Sequence, residues 1–276
     1  MNIRSLSNIL YFPLFIIGIL ILYFGYGNNN GLMVWIFVPV ILIVAIYVGH
    51  AQIDYWWLKK NPAPLDEPII KWLDKFGYYY QSLKKDHQQE YRNRLSNYLF
   101  AREFVVVANK EQKPVPEDIK AIIASQAINL TFGLEDYLLD DYDRIFIYVH
   151  AFPTPQFQFL HRVETEHTDK VIILTMDQAV HGVVEPKKYY NIALHAYVDA
   201  FTHVHPDKDY PTVNHLGWEV PEMIFEMTKQ DICQICGFEN LDILVVHIVA
   251  FFTNKSFYLS QLPHEGAALS KVFNQG

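Results

Sequence analysis

Cysteine is almost absent from this chain. It occurs twice, at Cys233 and Cys236, so no disulfide scaffold holds the fold together. A zinc ribbon needs a second Cys-x-x-Cys pair, and the sequence has none. Asp231 to Gly237 also lacks the strand-then-helix setting of a thioredoxin-type redox motif. The two thiols read as ordinary reduced cysteines. Positive charge is scarce too: 22 Lys and Arg stand against 30 Asp and Glu, a net charge of −8. Proteins that grip nucleic acid neutralise phosphates with a surplus of basic side chains, so no nucleic-acid partner is expected. Two stretches carry no charge of either sign, Ile9 to Tyr26 and Leu32 to Gly49.

Those stretches each approach the ~20 residues that cross a bilayer core. No small-x-small cleavage site follows the first, and the second comes directly after it, which sets aside a cleaved signal peptide. The polar tip Gly27-Asn28-Asn29-Asn30-Gly31 favours a tight turn. A transmembrane helical hairpin over residues 1–60 follows, with spans at about 9–26 and 32–49. Arg4 precedes the first span, Lys59 and Lys60 follow the second, and the tip has neither Lys nor Arg. The positive-inside rule then gives a two-pass protein of the cell inner membrane with both termini cytoplasmic. Tyr55, Trp56 and Trp57 suit an aromatic belt at the interface, beside Lys59 and Lys60. His50 and Asp54 fall at that boundary and read as facing water.

Residues 61–68, with Pro62, Pro64 and Pro68, read as a stiff linker. Beyond it lies a domain over 69–276. Apolar residues at spacings of three and four predict helix from Ile69 to about Val107. Pro116-Glu117-Asp118 starts another helix, which runs to Gly133. Arg144 to Val149 and Lys170 to Leu174 are β-rich. Helices follow at about 188–201, 220–228, 241–252 and 266–273. The fold class is α+β, mainly helical with a small sheet.

The segment His195-Ala196-Tyr197-Val198-Asp199 carries the chemistry. On a helix, positions 195 and 199 share a face, and that spacing lets two side chains hold one metal ion. In a His-Glu-x-x-His metallopeptidase the Glu takes a proton from metal-bound water. Ala196 can take none. By spacing alone, a buried or half-buried polar pair on an amphipathic helix is the commoner origin of such a His and Asp.

A wider set of segments resembles the zinc metallopeptidase family of the Mlc titration factor A type, a glucose-regulated peptidase, from about Tyr79 to Phe273. The likeness rests on Ile122 to Ala127 leading to Phe132-Gly133-Leu134, and on the strand Ile145 to Val149 with Ala151-Phe152. It continues in Val171 to Thr175 before Asp177, in Asn191 to His195, and in Val246 to Phe252. The resemblance implies a zincin-like domain. It places the first zinc ligand on His195, the lost catalytic Glu on Ala196 and the second ligand on Asp199. It places the third ligand on Asp242 and a lost transition-state Tyr on Ile235. The family's Gly-x-x-Trp element between its strands is missing from the shorter stretch Phe159 to Lys170, which leaves an edge strand there unsupported.

Losing a general base costs on the order of 10² to 10⁴ in rate. The resemblance therefore implies a pseudopeptidase with no catalytic residue in place, acting as a binding or scaffold subunit for a protein partner at the cytoplasmic membrane face. No cofactor is expected. A residual site for zinc or another divalent metal at His195, Asp199 and Asp242 stays open, and with it an active peptidase that takes its base from Glu164, Glu166, Asp177 or Glu185. A displaced site using His203 is a further alternative to placing His203, His205 and His215 in a solvated loop after the motif. His161 and His167 read as surface residues. Tyr78 to Tyr80 and Phe157 to Phe159 fit either core packing or a partner surface.

Overall fold

A computed structural model describes residues 6–25, 31–107, 114–139 and 142–275. The chain divides into two compact units, Met1–Pro64 and Leu65–Gly276.

The first unit is a pair of helices. Helix α1 spans Leu6–Gly25, and α2 spans Phe37–Lys60 after a 3₁₀ turn at Leu32–Ile36. Leu6–Gly25 and Met33–Lys60 are each long and apolar enough to cross a membrane. Phe12, Phe15, Val34 and Ile41 point outward, an arrangement that suits hydrocarbon as the surrounding solvent. Helix α2 runs unbroken past Gly49, so Tyr55, Trp56, Trp57, Lys59 and Lys60 occupy its last turns. The Lys60 ammonium lies 4.2 Å from the Trp56 ring centroid. Arg4 and the tip residues Gly27 to Asn30 lie outside the described residues. Gly31 is left-handed, with φ 67°.

Asp54 corrects an expectation. It is buried rather than open to water. Its Oδ1 accepts the Ser7 backbone N–H at 2.8 Å, and its Oδ2 accepts the Ser7 hydroxyl at 2.8 Å. The first N–H groups of any helix lack intrahelical partners, and here the second helix supplies a carboxylate to one of them. His50 stays exposed, its Nδ1 2.8 Å from the Tyr47 carbonyl oxygen.

In the second unit α3 (Glu67–Phe76), α4 (Tyr78–Ser82) and α5 (Lys85–Ala101) replace the single long helix expected from the periodicity. A Cβ on Gly77 would meet the Leu73 carbonyl oxygen at 2.7 Å, which fits the sharp turn between α3 and α4. Glu103–Val107 is not helix but strand β1. Its β-branched Val105, Val106 and Val107 favour a pleated surface. Helix α6 (Glu117–Thr131) follows, then β2 (Arg144–Tyr148), β3 (Val163–Glu166) and β4 (Val171–Thr175). The sheet order is β1-β2-β4-β3. β1, β2 and β4 are parallel, whereas β3 is an antiparallel edge strand pairing Val163 with Leu174 and Glu166 with Val171. The edge strand that the short Phe159 to Lys170 stretch left unsupported is therefore present.

Helices α7 (Met176–Val184) and α8 (Ile192–Val204) follow. Next come α9 (Glu219–Phe225), α10 (Lys229–Cys236), α11 (Ile243–Thr253), α12 (Lys255–Gln261) and α13 (Pro263–Val272). The apolar spacing does not announce α7, α10 or α12. α10 nevertheless carries readable end signals, a Thr228–Asp231 capping box and a left-handed Gly237 after its last turn. The core centres on α6, α8 and α11, whose interiors are almost wholly buried. α8 packs against β3, β4, α6 and α11, with Ala193, Ala196 and Ala200 buried along it. Small side chains let these elements approach closely, and close approach leaves no room for a larger residue at 196.

Candidate functional site

α8 is held at its start by Asn191. The Asn191 side chain accepts the Leu194 N–H at 2.9 Å, and its amide donates to Gln126 Oε1 at 2.9 Å. This cap is worth about 1 kcal/mol and fixes the position of His195 one turn on. His195, Asp199 and His203 follow at i, i+4 and i+8 along one face. They pass from buried through half-buried to exposed.

His195 is 8% exposed. Its Nδ1 lies 2.9 Å from the buried Tyr190 hydroxyl, the one hydrogen-bond partner of that hydroxyl among the described residues. A hydroxyl can give a proton to Nδ1 or accept one from it, and either way the contact orients the ring. His195 lines a cavity of about 220 Å³, and its Nε2 has no hydrogen-bond partner among the described residues. Burial pushes the His195 pKa down to about 4, so the ring is neutral at pH 7.

Asp199 and Asp242 line the same cavity, with Glu164 and His167. Burial raises the Asp199 carboxyl above its ordinary value and neighbouring Asp242 adds to the push, while His167 opposes it. His167 Nε2 is 3.7 Å from Asp199 Oδ2. Its Nδ1 is 2.7 Å from the Tyr142 hydroxyl. Burial lowers its pKa, with Asp199 working the other way. Asp242 caps α11, its Oδ1 accepting the Leu244 N–H at 2.8 Å.

Two expectations about histidine change at this site. His203 is not in a loop, because α8 extends to Val204, and its ring stacks on His167 at 4.0 Å and 13°. His161 is fully buried. Its Nε2 meets Glu164 Oε2 at 2.8 Å and its Nδ1 lies 3.0 Å from the Phe159 carbonyl oxygen. The rings of Phe152, Phe157, Phe159 and Phe238 surround it. His167 is half-buried and belongs to the site. His205 ends α8 against Phe201, and His215 is exposed.

Of the four acids that could replace the missing base, only Glu164 reaches the cavity, and one of its oxygens is taken by His161. Glu166 turns back onto the Thr168 and Asp169 N–H groups. Asp177 sits in the first turn of α7, and Glu185 follows its end beside Lys188. Ala196 is wholly buried, and its carbonyl accepts the Thr165 hydroxyl at 3.2 Å. Ile235 lies on α10 and packs against the core, away from the cavity lining. Cys233 and Cys236 are free and buried, and burial raises both thiols, which keeps them unreactive. Tyr190, His167 and Phe238 carry no sequence signal that marks them as site residues.

Residues 54–204 match the model of the glucose-regulated metallo-peptidase M90 family. The chain belongs to that family. The match takes in α8 with His195, Ala196 and Asp199 and begins within α2, earlier than Tyr79. It ends before Ile235 and Asp242. No curated protein and no solved structure matches the chain. M90 enzymes are metallopeptidases by their family description, so the donor set of this M90 chain has to be weighed against a metal. Among the described residues, no three His, Cys, Asp or Glu side chains are grouped to hold one. A ligating imidazole gives a lone pair to the metal and its other N–H to an acceptor. The Tyr190 hydroxyl beside Nδ1 can serve as that acceptor. With Ala196 and Asp199 standing where the motif has its Glu and second His, this M90 chain does not complete a His-Glu-x-x-His centre.

Proposed function

We propose that this M90 chain is a membrane-anchored pseudopeptidase whose cleft binds a segment of a protein partner at the cytoplasmic face of the cell inner membrane. The observation that carries the reading is Ala196. It stands where the family's proton-abstracting Glu belongs, and it is sealed in the core against β3. A cleft without its base keeps shape and polarity for binding while the hydrolytic step loses its proton acceptor. Two apolar helices at the N-terminus support the anchor. Lys59 and Lys60 at the end of α2 support a cytoplasmic domain. Tethering raises the effective concentration of the domain for anything at that surface.

The experiment is peptide hydrolysis by the full-length detergent-solubilised protein with added zinc, beside the Ala196→Glu/Asp199→His double variant. The wild type is expected to be silent. Turnover by the wild type that a chelator abolishes would overturn the reading. It would favour the second one, an active zinc-dependent peptidase with an altered site, which draws on the meeting of His195, Asp199 and Asp242 at one cavity.

A further inference from the structure

The cavity beside α8 is chemically lopsided. Asp199 and Asp242 both line it, and no Lys or Arg does. His167 Nε2 lies 3.7 Å from Asp199 Oδ2. Among the described residues the Asp242 side chain accepts from the Leu244 backbone N–H. No Lys or Arg side chain therefore meets the two carboxylates at this cavity. Asp199 is half-buried and Asp242 exposed, and a partly desolvated carboxylate such as Asp199 is costly unless a cation meets it.

Two further features narrow the occupant. His195 is nine-tenths buried and lines the same space, and its Nε2 has no hydrogen-bond partner among the described residues. It suits a backbone polar group, so the occupant presents a peptide group as well as a cation. Phe157, Phe238, Val163 and Val245 form an apolar wall, with the Phe157 and Phe238 rings edge-to-face at 5.1 Å. Such a wall takes the methylene stem of a long side chain and favours a cation near its ring faces. At about 220 Å³ the cavity is smaller than the ~300–1,000 Å³ of drug-sized sites and suits one side chain.

We propose that the cleft selects a partner segment by a Lys or Arg side chain, seated between Asp199 and Asp242 with its stem on Phe157 and Phe238, while His195 Nε2 hydrogen-bonds a backbone group of the same segment. The proposal rests on the segment-binding reading above and names the chemistry of the segment.

The test uses the full-length protein in detergent and a positional-scanning library of fluorescent, N-acetylated, C-amidated heptapeptides, read by fluorescence polarisation. Lys and Arg sublibraries should bind roughly ten- to a hundredfold more tightly than norleucine and Glu sublibraries, the range for a hydrogen bond to a charged group. Asp199→Asn/Asp242→Asn should erase that preference. Asn still caps a helix, so α11 should survive, and circular dichroism checks that the fold does. Asp209→Asn, on an exposed residue away from the cavity, should leave the preference intact. Binding without a preference for Lys or Arg would overturn the proposal and leave the segment-binding reading standing. Binding only by a matched library with free N-termini would place the cation on a chain end and overturn the side-chain assignment. No binding by any library would overturn both.

Discussion

The Tyr190 hydroxyl lies 2.9 Å from His195 Nδ1, its one hydrogen-bond partner among the described residues. A buried phenol without an acceptor loses a hydrogen bond at a cost of about 1–3 kcal/mol, which favours donation to Nδ1 and a ring hydrogen on Nε2. The His195 side chain should show the Nε2–H form in nitrogen-15 correlation spectra at neutral pH. Tyr190→Phe should release that preference while leaving α8 formed. A wild-type spectrum showing Nδ1–H would mean that the ring donates to Tyr190 instead.

The same ring makes stability depend on pH. Its folded pKa is lowered to about 4 from an ordinary ~6.5. Between those values the unfolded chain binds more protons than the folded one, so stability rises with pH across that window and levels off above it. The full effect is on the order of 3 kcal/mol. Thermal unfolding of the full-length protein should give a Tm that falls as pH drops from about 6.5 toward 4. His195→Asn should flatten that slope, and an unchanged slope would refute His195 as its origin.

Ala196→Glu alone should not restore hydrolysis. The side chain would enter a fully buried position beside Thr165, and an unpaired buried polar group costs on the order of 3 kcal/mol. The expected result is a lower Tm and no turnover. A variant as stable as the wild type would mean that the α8–β3 packing has room to spare.

Much of the fold is legible in the sequence, and the reasons are local. Pro116, Glu117 and Asp118 announce α6, and its apolar period carries it to the end. Arg144 to Tyr148 and Val171 to Thr175 declare themselves by β-branched and aromatic content. β1 is hidden because the helical period of α5 runs straight into Phe104 to Val107, and only pairing with β2 decides for strand. β3 is four residues long with one strongly apolar member, Val163, too little for a pattern. The site is half legible. His195 and Asp199 share a helix, so spacing alone places them together. His161 reads as surface because its neighbours are charged. Its cage comes from Phe152, Phe157, Phe159 and Phe238, which no local pattern links. His167, in the β3–β4 turn, meets His203 near the end of α8, again a tertiary contact.

Gly237 joins α10 to Phe238 of the cavity wall. It is left-handed at φ 91°, and a Cβ there would lie 2.5 Å from the His161 Cα. Gly237→Ala should destabilise the domain by roughly 1–3 kcal/mol, and more if His161 cannot shift. It should also weaken binding at the cavity, because Phe238 moves with it. Denaturant unfolding checks the first effect and peptide polarisation the second.

In the apolar helix pair, Asp54→Ala removes the carboxylate oxygens that accept from the Ser7 N–H and hydroxyl. The loss of a capping carboxylate costs about 1 kcal/mol, so the Ser7 amide should exchange with solvent deuterium several-fold faster. Asp54→Asn, which keeps an oxygen acceptor, should lie between the two. Equal exchange in all three proteins would remove Asp54 as the cap of α1.

The most direct test of the central claim is the metal content of the purified full-length protein by plasma mass spectrometry, beside Asp199→Ala. If the M90 cleft is kept for binding, zinc should be far below one per chain and the same in both proteins. About one zinc per chain in the wild type, lost in Asp199→Ala, would show that His195 and Asp199 hold a metal and would contradict the account.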